Sequence, residues 1–174
     1  MQIGLAFSTI PANVDERVLH GERPEAYAVR VARDKALVAA RHAGRSIIIA
    51  ADTIVVLDDK ILGKPADRND AIRMLKLLSG AVHEVITGLC VLDTDTRKTL
   101  IRTVTTKVWF RRLTAEEITV YVDSREPLDK AGAYGIQGKG ALFVDRIEGC
   151  YFNIVGLPLS VLSECLEAFH VVLW

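Results

Sequence analysis

The amino-acid sequence predicts a mixed α/β domain, and three observations support this fold class. Residues 24–43 carry apolar side chains at helical spacing, which predicts an amphipathic helix. An apolar run over residues 47–57 is typical of a strand that is buried on both sides. Residues 82–92 and 99–111 are rich in Val, Ile and Thr and flank an Asp/Thr turn, so they predict a long antiparallel hairpin.

The first helix carries one charged residue where the core is expected. Pro24 suits the first helical turn, and Gly44 is placed to end the helix. Lys35 follows Ala28 by seven residues, so both lie on the face that also carries the apolar stripe. The sequence therefore predicts a lysine that faces the core.

Three further helices follow from capping signals and apolar spacing. A helix over residues 69–79 begins after Asp67, which is a good N-cap residue. Thr114 and Glu117 form a capping box at the start of the next helix. Pro158 opens the last helix, whose leucines recur at amphipathic spacing.

Composition excludes several classes of function. The 174 residues include 22 Lys+Arg and 22 Asp+Glu, so the balanced charge argues against a general nucleic-acid binder. Hydrophobic residues make up 50% of the chain, which excludes a disordered protein. Because no apolar run reaches the roughly 18 residues of a membrane helix and no signal stretch follows Met1, we expect a soluble cytoplasmic protein.

Asp52 is the most informative residue for function. It interrupts the apolar run, and a carboxylate there needs a cation, a group of hydrogen-bond donors or an opening to water. The structural alternative is that the strand ends at Asp52 and that this residue caps a turn. The functional interpretation is a metal ligand or a general base at the edge of a cleft.

Two lysines are natural countercharges for Asp52. Lys35 could equally pack its stem and expose its ammonium, and Lys64, in a loop between Gly63 and Pro65, could simply be solvated. Together with Asp52, however, they suit a small polyanion that carries a bound cation. Glu16 lies in a polar stretch and by itself favours a solvated surface position.

A glycine-rich segment over residues 129–140 matches neither a dinucleotide-binding fingerprint nor a Walker A loop. Its glycines permit close approach of the backbone to a ligand, and Gln137 could offer both a donor and an acceptor to a nucleobase edge. A tight glycine-rich hairpin is the alternative. We expect Gln137, Asp52 and the two lysines to share one cavity.

Four motifs resemble the Maf family of nucleoside triphosphate pyrophosphatases. In chain order they are Ala50-Ala-Asp-Thr-Ile-Val55, Leu62-Gly-Lys-Pro65, the segment 124–138 that contains Ser-Arg-Glu-Pro and Asp-Lys-Ala-Gly-Ala-Tyr-Gly-Ile-Gln-Gly, and Asn153-Ile-Val-Gly-Leu-Pro158. The resemblance implies an elongated α/β fold of the inosine triphosphate pyrophosphatase type. Its central mixed sheet is flanked by helices, and the nucleotide binds in a cleft between two lobes.

The same resemblance implies roles for individual residues. Asp52 corresponds to the family's proton acceptor, and Glu16, with Asp52, to the side chains that hold a divalent cation, Mg²⁺ or Mn²⁺. Lys35 and Lys64 correspond to lysines that contact phosphate, while Thr53 and Gln137 fall where the family's specificity positions lie. The segment around Gln137 resembles the dTTP/UTP branch of the family more than the branch that acts on 7-methyl-GTP. The family resemblance also implies a homodimer.

One family feature is not found in this sequence. Family members begin with a strand and a helix that carry Ser-x-Ser-Pro-Arg-Arg, whereas Met1-Gln-Ile-Gly-Leu5 resembles the stretch that follows that helix. The resemblance therefore implies a single domain over residues 1–174 that is incomplete at its N-terminus relative to the family. Loss of those arginines would weaken the grip on the phosphates.

Three functions remain open from the sequence. The first is metal-dependent hydrolysis of dTTP or UTP to the monophosphate and pyrophosphate, with Asp52 as proton acceptor. The second is a nucleotide-binding regulator of cell division without turnover, which the missing arginines favour. The third is a pyrophosphatase for purine nucleotides of the ITP or XTP type, since Gln137 can pair with many bases.

Overall fold

The computed structural model describes residues 4–173 of the chain, and these contain one five-stranded sheet. Its strands are β1 (Ile47–Leu57), β2 (Lys60–Leu62), β3 (Val82–Asp93), β4 (Thr99–Phe110) and β5 (Val144–Glu148). Their spatial order is β2-β1-β3-β4-β5. The α/β class is confirmed, and the predicted hairpin is the β3–β4 pair. The stretch Met1–Leu5 was compared with the family's N-terminal region, and its residues 1–3 lie outside the described residues.

All four strand pairings within residues 4–173 are antiparallel. The mixture of parallel and antiparallel strands that the resemblance implied therefore does not occur in this part of the chain. The reason lies in the connections. A turn joins β1 to β2, a second turn joins β3 to β4, and the longer connections also return the chain antiparallel.

Five α-helices of the described residues cover the sheet. They are α1 (Pro24–Ala40), α2 (Arg68–Leu78), α3 (Ala115–Asp123), α4 (Tyr151–Val155) and α5 (Leu159–Glu167). Helix α1 packs against one face, where its buried alanines and Val31 meet apolar side chains of β1 and β3. Helices α2 and α3 pack on the opposite face, and α5 covers the other end of that face. No helix in the described part of the chain is long and apolar enough to cross a membrane.

The capping signals locate the helix ends well. The Asp67 side chain accepts a hydrogen bond from the Asp70 backbone N–H at the start of α2. Thr114 and Glu117 form both bonds of the predicted capping box. Helix α1, however, ends at Ala40 and not at the predicted residue 43. Its last turn tightens to a 3-10 type hydrogen bond, from the Arg41 N–H to the Val38 carbonyl three residues earlier.

Strand β1 is not buried along its whole length, which corrects the sequence prediction. Full burial is continuous only over Ile54–Val56, among the described residues. The reason is that β2 pairs only with Val55–Leu57, so the outer edge of residues 47–54 has no strand beside it in the described part of the chain. This edge lies where the predicted site residues are found.

The glycine-rich segment forms short 3-10 turns in place of a hairpin. These turns are Glu126–Asp129, Ala131–Ala133 and Lys139–Phe143. Gly132 has a φ of 65°, and a Cβ at that position would lie 2.9 Å from the side chain of Val55. The expected close approach therefore does occur here, between this segment and β1.

Candidate active site

Asp52 lies in the middle of β1, opposite Gly88 of β3. Because side chains alternate along a strand, it shares a face with Ile54 and Val56, which pack against α1. Its side chain is 12% exposed. Burial is the main influence on its pKa and raises it, while the neighbouring Lys35 ammonium acts in the opposite direction. Asp52 does not cap a turn, because β1 continues for five residues beyond it.

Lys35 joins two carboxylates. Its Nζ lies 2.7 Å from Asp52 Oδ1 and 2.8 Å from Glu16 Oε1. Burial favours the neutral amine, but the two carboxylates outweigh it and raise the pKa of Lys35. The ammonium therefore stays charged and neutralises one of the two carboxylates. The remaining negative charge makes this acidic cluster, Glu16–Lys35–Asp52, attractive to a cation.

Glu16 reaches the cluster from the extended segment that precedes α1. The hydroxyl of Tyr27, in the first turn of α1, donates a hydrogen bond of 2.7 Å to the Glu16 backbone carbonyl. The Tyr27 ring is buried against the sheet. The Glu16 side chain itself is half exposed. The chain path at Glu16 is thus tied to α1, while its carboxylate faces outward to solvent and to Lys35.

Gly88, which was not predicted as a site residue, lets α1 come close enough to the sheet for Lys35 to reach Asp52. A Cβ at this position would lie 2.6 Å from the backbone nitrogen of Val29 and closer still to the Ala28 carbonyl. Any side chain would therefore push α1 away. The available signal was a single glycine in the interior of a Val/Ile-rich strand, which indicates close backbone approach.

A cavity of about 350 Å³ opens on the opposite face of the sheet. Three predicted residues line it, namely Thr53, Lys64 and Gln137. Lys130 and Asp129 line it as well, and sequence analysis had assigned them no role. The polar and cationic groups suit a negatively charged ligand with a hydrogen-bonding edge.

A larger groove of about 630 Å³ runs along the outer edge of β1. It is lined mainly by apolar side chains such as Phe7, Ile47 and Leu159, and no charged residue of the described chain lines it. Because a phosphate group needs cationic or N–H partners, this groove is the poorer candidate for a nucleotide. The cavity that contains Lys64 and Gln137 is the better one.

Glu126 holds the loop that carries Gln137. Its carboxylate accepts hydrogen bonds from the Lys139 N–H at 3.0 Å, from the Gly140 N–H at 3.3 Å and from the Tyr121 hydroxyl at 3.0 Å. Burial favours the protonated acid, but these donors outweigh it and lower the pKa of Glu126. An ionised Glu126 therefore fixes the wall of the cavity.

The predicted site residues fall into two groups on opposite faces of β1. Glu16, Lys35 and Asp52 lie together beside α1, whereas Thr53, Lys64 and Gln137 lie together in the cavity. The prediction that one cavity contains Asp52 with both lysines was wrong, because neighbouring strand residues face opposite sides.

The two groups nevertheless come close at the outer edge of β1, which has no strand beside it at this point within residues 4–173. Asp52 and Thr53 are consecutive residues there, beyond the last β2 partner, Leu62. After burial and Lys35, the charge of Lys64 is among the influences on the pKa of Asp52, which it lowers through space. A ligand lying across this edge would contact both faces.

The acidic cluster has part of the donor set that a divalent cation needs. Among residues 4–173, no group of three or more His, Cys, Asp or Glu side chains is arranged to hold a metal. Mg²⁺, however, is commonly held by one or two carboxylates together with substrate phosphates and water. Asp52 and Glu16 converge on one ammonium, Lys35 Nζ, and carry an excess negative charge. The donor set therefore fits a metal that binds together with a phosphate ligand.

The fold and the site define an α/β protein in which a lysine-lined cavity lies next to a partly exposed acidic cluster, an arrangement suited to a small polyanion. A family model described as "Maf-like protein" matches residues 1–169 of the chain. The chain belongs to the Maf family.

Curated relatives resemble the chain over most of their length. A dTTP/UTP pyrophosphatase from Syntrophomonas wolfei is 52% identical over 91% of this chain and 84% of its own. The dTTP/UTP pyrophosphatase of Acetivibrio thermocellus is 49% identical over 98% of this chain and 88% of its own. A third, from Carboxydothermus hydrogenoformans, is 52% identical over 92% and 86%, respectively.

Proposed function

We propose that this protein hydrolyses UTP and dTTP to the nucleoside monophosphate and pyrophosphate. The observation that carries the proposal is the mostly buried carboxylate of Asp52, held by Lys35 and followed directly by Thr53 in the cavity wall. Relatives that are about half identical to the chain are named dTTP/UTP pyrophosphatases. The substrate would lie across the outer edge of β1, with its phosphates between Asp52 and the cavity lysines and its base beside Thr53 and Gln137.

Asp52 acts as the proton acceptor in this proposal. Its carboxylate orients a water molecule and takes one of its protons as the oxygen attacks the α-phosphorus of the substrate. The bond between that phosphorus and the bridging oxygen breaks, and pyrophosphate leaves with the bonding electron pair. Lys35 fixes the rotamer of Asp52 through its contact at 2.7 Å, and so holds the base in place.

Lysines offset the charge of the phosphates and of the leaving pyrophosphate. Lys64 and Lys130 both line the cavity, and Lys130 is only partly engaged, in an ion pair of 2.8 Å with its exposed neighbour Asp129. Charge that develops on the leaving group is stabilised by cations already in position. Gln137, on the loop held by Glu126, faces the base through a side-chain amide that can both donate and accept.

A divalent cation fits this proposal at the acidic cluster. Glu16 and Asp52 would hold it, and when bound it would neutralise phosphate oxygens and so make the α-phosphorus easier to attack. Without it, Asp52 and Glu16 would repel the triphosphate, because the cluster as a whole is negative. We therefore expect turnover to depend on Mg²⁺ or Mn²⁺.

The experiment that tests the proposal identifies the products and the bond that breaks. The protein is incubated with UTP or dTTP and Mg²⁺ in ¹⁸O-labelled water. We expect equal amounts of monophosphate and pyrophosphate, with the label in the monophosphate. Label in pyrophosphate, or release of inorganic phosphate from the nucleotide, would contradict attack at the α-phosphorus.

The same assay separates the alternatives. Faster turnover of ITP than of UTP would favour a purine enzyme, and calorimetric binding of UTP without any turnover would favour a regulator. The homodimer implied by the family resemblance stays a prediction. Sedimentation equilibrium checks it, since each chain has a mass of 19.2 kDa and a dimer would have twice that mass.

A further inference from the structure

A buried chain of hydroxyl groups runs inward from the cavity. The Thr53 hydroxyl, in the cavity wall, lies 2.8 Å from that of Thr87, on the neighbouring strand β3. Thr87 is completely buried, and its Oγ1 lies 3.2 Å from the backbone carbonyl oxygen of Asn153 in α4. Three elements, β1, β3 and α4, are therefore linked behind the part of the cavity that Thr53 lines.

In this series of hydroxyl groups, the group that donates in each hydrogen bond follows from which atoms can only accept. A carbonyl oxygen only accepts, so Thr87 donates to Asn153 if this bond forms. The Thr87 hydroxyl then accepts a hydrogen bond from the Thr53 hydroxyl. Thr87 thus donates one hydrogen bond and accepts another, both within the protein. Thr53 in turn offers only lone pairs to the cavity.

The opposite direction of these hydrogen bonds leaves more buried polar atoms without a partner. Thr87 would donate to Thr53, and Thr53 would donate to the Gly156 carbonyl at the longer distance of 3.4 Å. The lone pairs of Thr87 would then have no donor, although the side chain is fully buried. Because buried polar groups are almost always hydrogen-bonded, the inward direction is favoured. Water or a ligand in the cavity can donate to Thr53 but has no access to Thr87.

We propose that Thr87 is a positioning residue for base selection. Its hydroxyl accepts a hydrogen bond from the Thr53 hydroxyl, so that the Thr53 oxygen is left to accept a hydrogen bond from a ring N–H of the bound base. This inference rests on the proposed function and deepens it. An imide N3–H, as in uracil and thymine, supplies such a donor. Cytosine carries a lone pair on N3 at neutral pH and would oppose the lone pairs of Thr53.

The test compares binding of UMP and CMP by calorimetry, which does not depend on turnover. We expect the unmodified protein to bind UMP at least about tenfold more tightly than CMP, the effect of roughly one hydrogen bond gained or opposed. In Thr87→Val, the Thr53 hydroxyl is free to turn and donate to cytosine N3. CMP binding should then become tighter, and the ratio of the two dissociation constants should fall about tenfold.

Two further variants separate positioning from general loosening of the site. Thr87→Ser retains the hydroxyl and should retain the preference for UMP. Thr106→Val removes another fully buried hydroxyl, whose hydrogen-bond partners in the described chain are the Cys150 backbone and the Asn153 side chain and not Thr53. It should weaken both ligands alike. A merely structural role of Thr87 cannot tighten CMP binding.

The proposal is overturned if Thr87→Val keeps the preference, if Thr106→Val lowers it equally, or if the unmodified protein binds UMP and CMP alike. Should Thr87→Val fail to fold, equal binding of UMP and CMP by the unmodified protein would still overturn the proposal. Absence of UMP binding would also overturn it. Failure of the proposed function has a different signature, namely that UTP yields no pyrophosphate.

Discussion

Gly88 links the packing of α1 to the chemistry of Asp52, and Gly88→Ala tests that link. The new Cβ would lie 2.6 Å from the nitrogen of Val29, whereas ordinary contacts begin near 3.4 Å. Helix α1 therefore has to move by about 1 Å, because its backbone cannot yield locally without losing helical hydrogen bonds. Lys35 moves with α1, and its contact of 2.7 Å with Asp52 is stretched beyond good hydrogen-bond length.

Both stability and activity should respond to Gly88→Ala. Overpacking of this kind costs about 1–3 kcal/mol, and each kcal/mol lowers the Tm of a chain this size by roughly 2–4 °C. A displacement of about 1 Å in a catalytic group reduces kcat/KM by about 100-fold. Thermal unfolding gives the first quantity, and pyrophosphate release from UTP, measured well below the Tm, gives the second.

The control for this variant is Gly44→Ala. No atom lies within 4 Å of a Cβ at Gly44, so neither Tm nor kcat/KM should fall. Unchanged stability and activity in Gly88→Ala would show that Gly88 sets neither the packing of α1 nor the position of Lys35. A lower Tm with full activity would show that α1 packs as described but does not set the position of Lys35.

Three further predictions concern the core and the cavity. Burial lowers the pKa of His83 from 6.5 to about 4, so unfolded chains take up the proton first as the pH falls. Urea unfolding should therefore show that the free energy of unfolding decreases by about 3 kcal/mol between pH 7 and pH 4. This decrease should be absent in His83→Gln. Glu126→Ala removes three hydrogen bonds to an ionised group, so it should lower the free energy of unfolding by about 1–3 kcal/mol and raise the KM for UTP. Gln137→Ala removes a contact to the base, so steady-state kinetics should show the KM for UTP raised about tenfold with little change in kcat.

Particular outcomes would contradict each of these predictions. Equal acid sensitivity of His83→Gln and the unmodified protein would show that other groups cause the loss. A Glu126→Ala variant with unchanged KM would mean that the loop keeps its shape without the carboxylate. If Gln137→Ala lowered kcat and left KM unchanged, the side chain would act on the reacting phosphate and not on the base.

The elements that could be predicted from the sequence are those with strong local signals. Asp67 caps α2 and the Thr114–Glu117 box caps α3, because these bonds form within one turn and need no tertiary contact. The β3–β4 hairpin follows for a similar reason, since its turn residues lie between two β-rich segments. Local chemistry decides all three.

The parts that sequence reasoning missed depend on contacts between distant segments. Strand β1 is partly exposed because β2 is only three residues long, which its own sequence does not reveal. The segment after Pro127 folds into 3-10 turns because Glu126 gathers the backbone N–H groups of Lys139 and Gly140. Such pairings become visible only when the chain is folded.

The candidate site shows both situations in one strand. Asp52 and Lys35 could be paired from the sequence, because each was a charge at an apolar position and each needed a partner. The separation of Asp52 from Thr53 was also available from strand alternation, but interpreting the motif as one cavity overlooked it. Gly88 would have required knowing that α1 crosses β3 at that point.

The role of Asp52 as proton acceptor is measured by comparing Asp52→Asn with Asp145→Asn in the UTP assay. Asp145 is an exposed residue of β5, so its amide variant controls for the loss of one negative charge. If Asp52 accepts the proton of the attacking water, kcat for pyrophosphate release falls by about 10²- to 10⁴-fold in Asp52→Asn and is unchanged in Asp145→Asn. A kcat for Asp52→Asn within a few-fold of that of the unmodified protein would contradict the account.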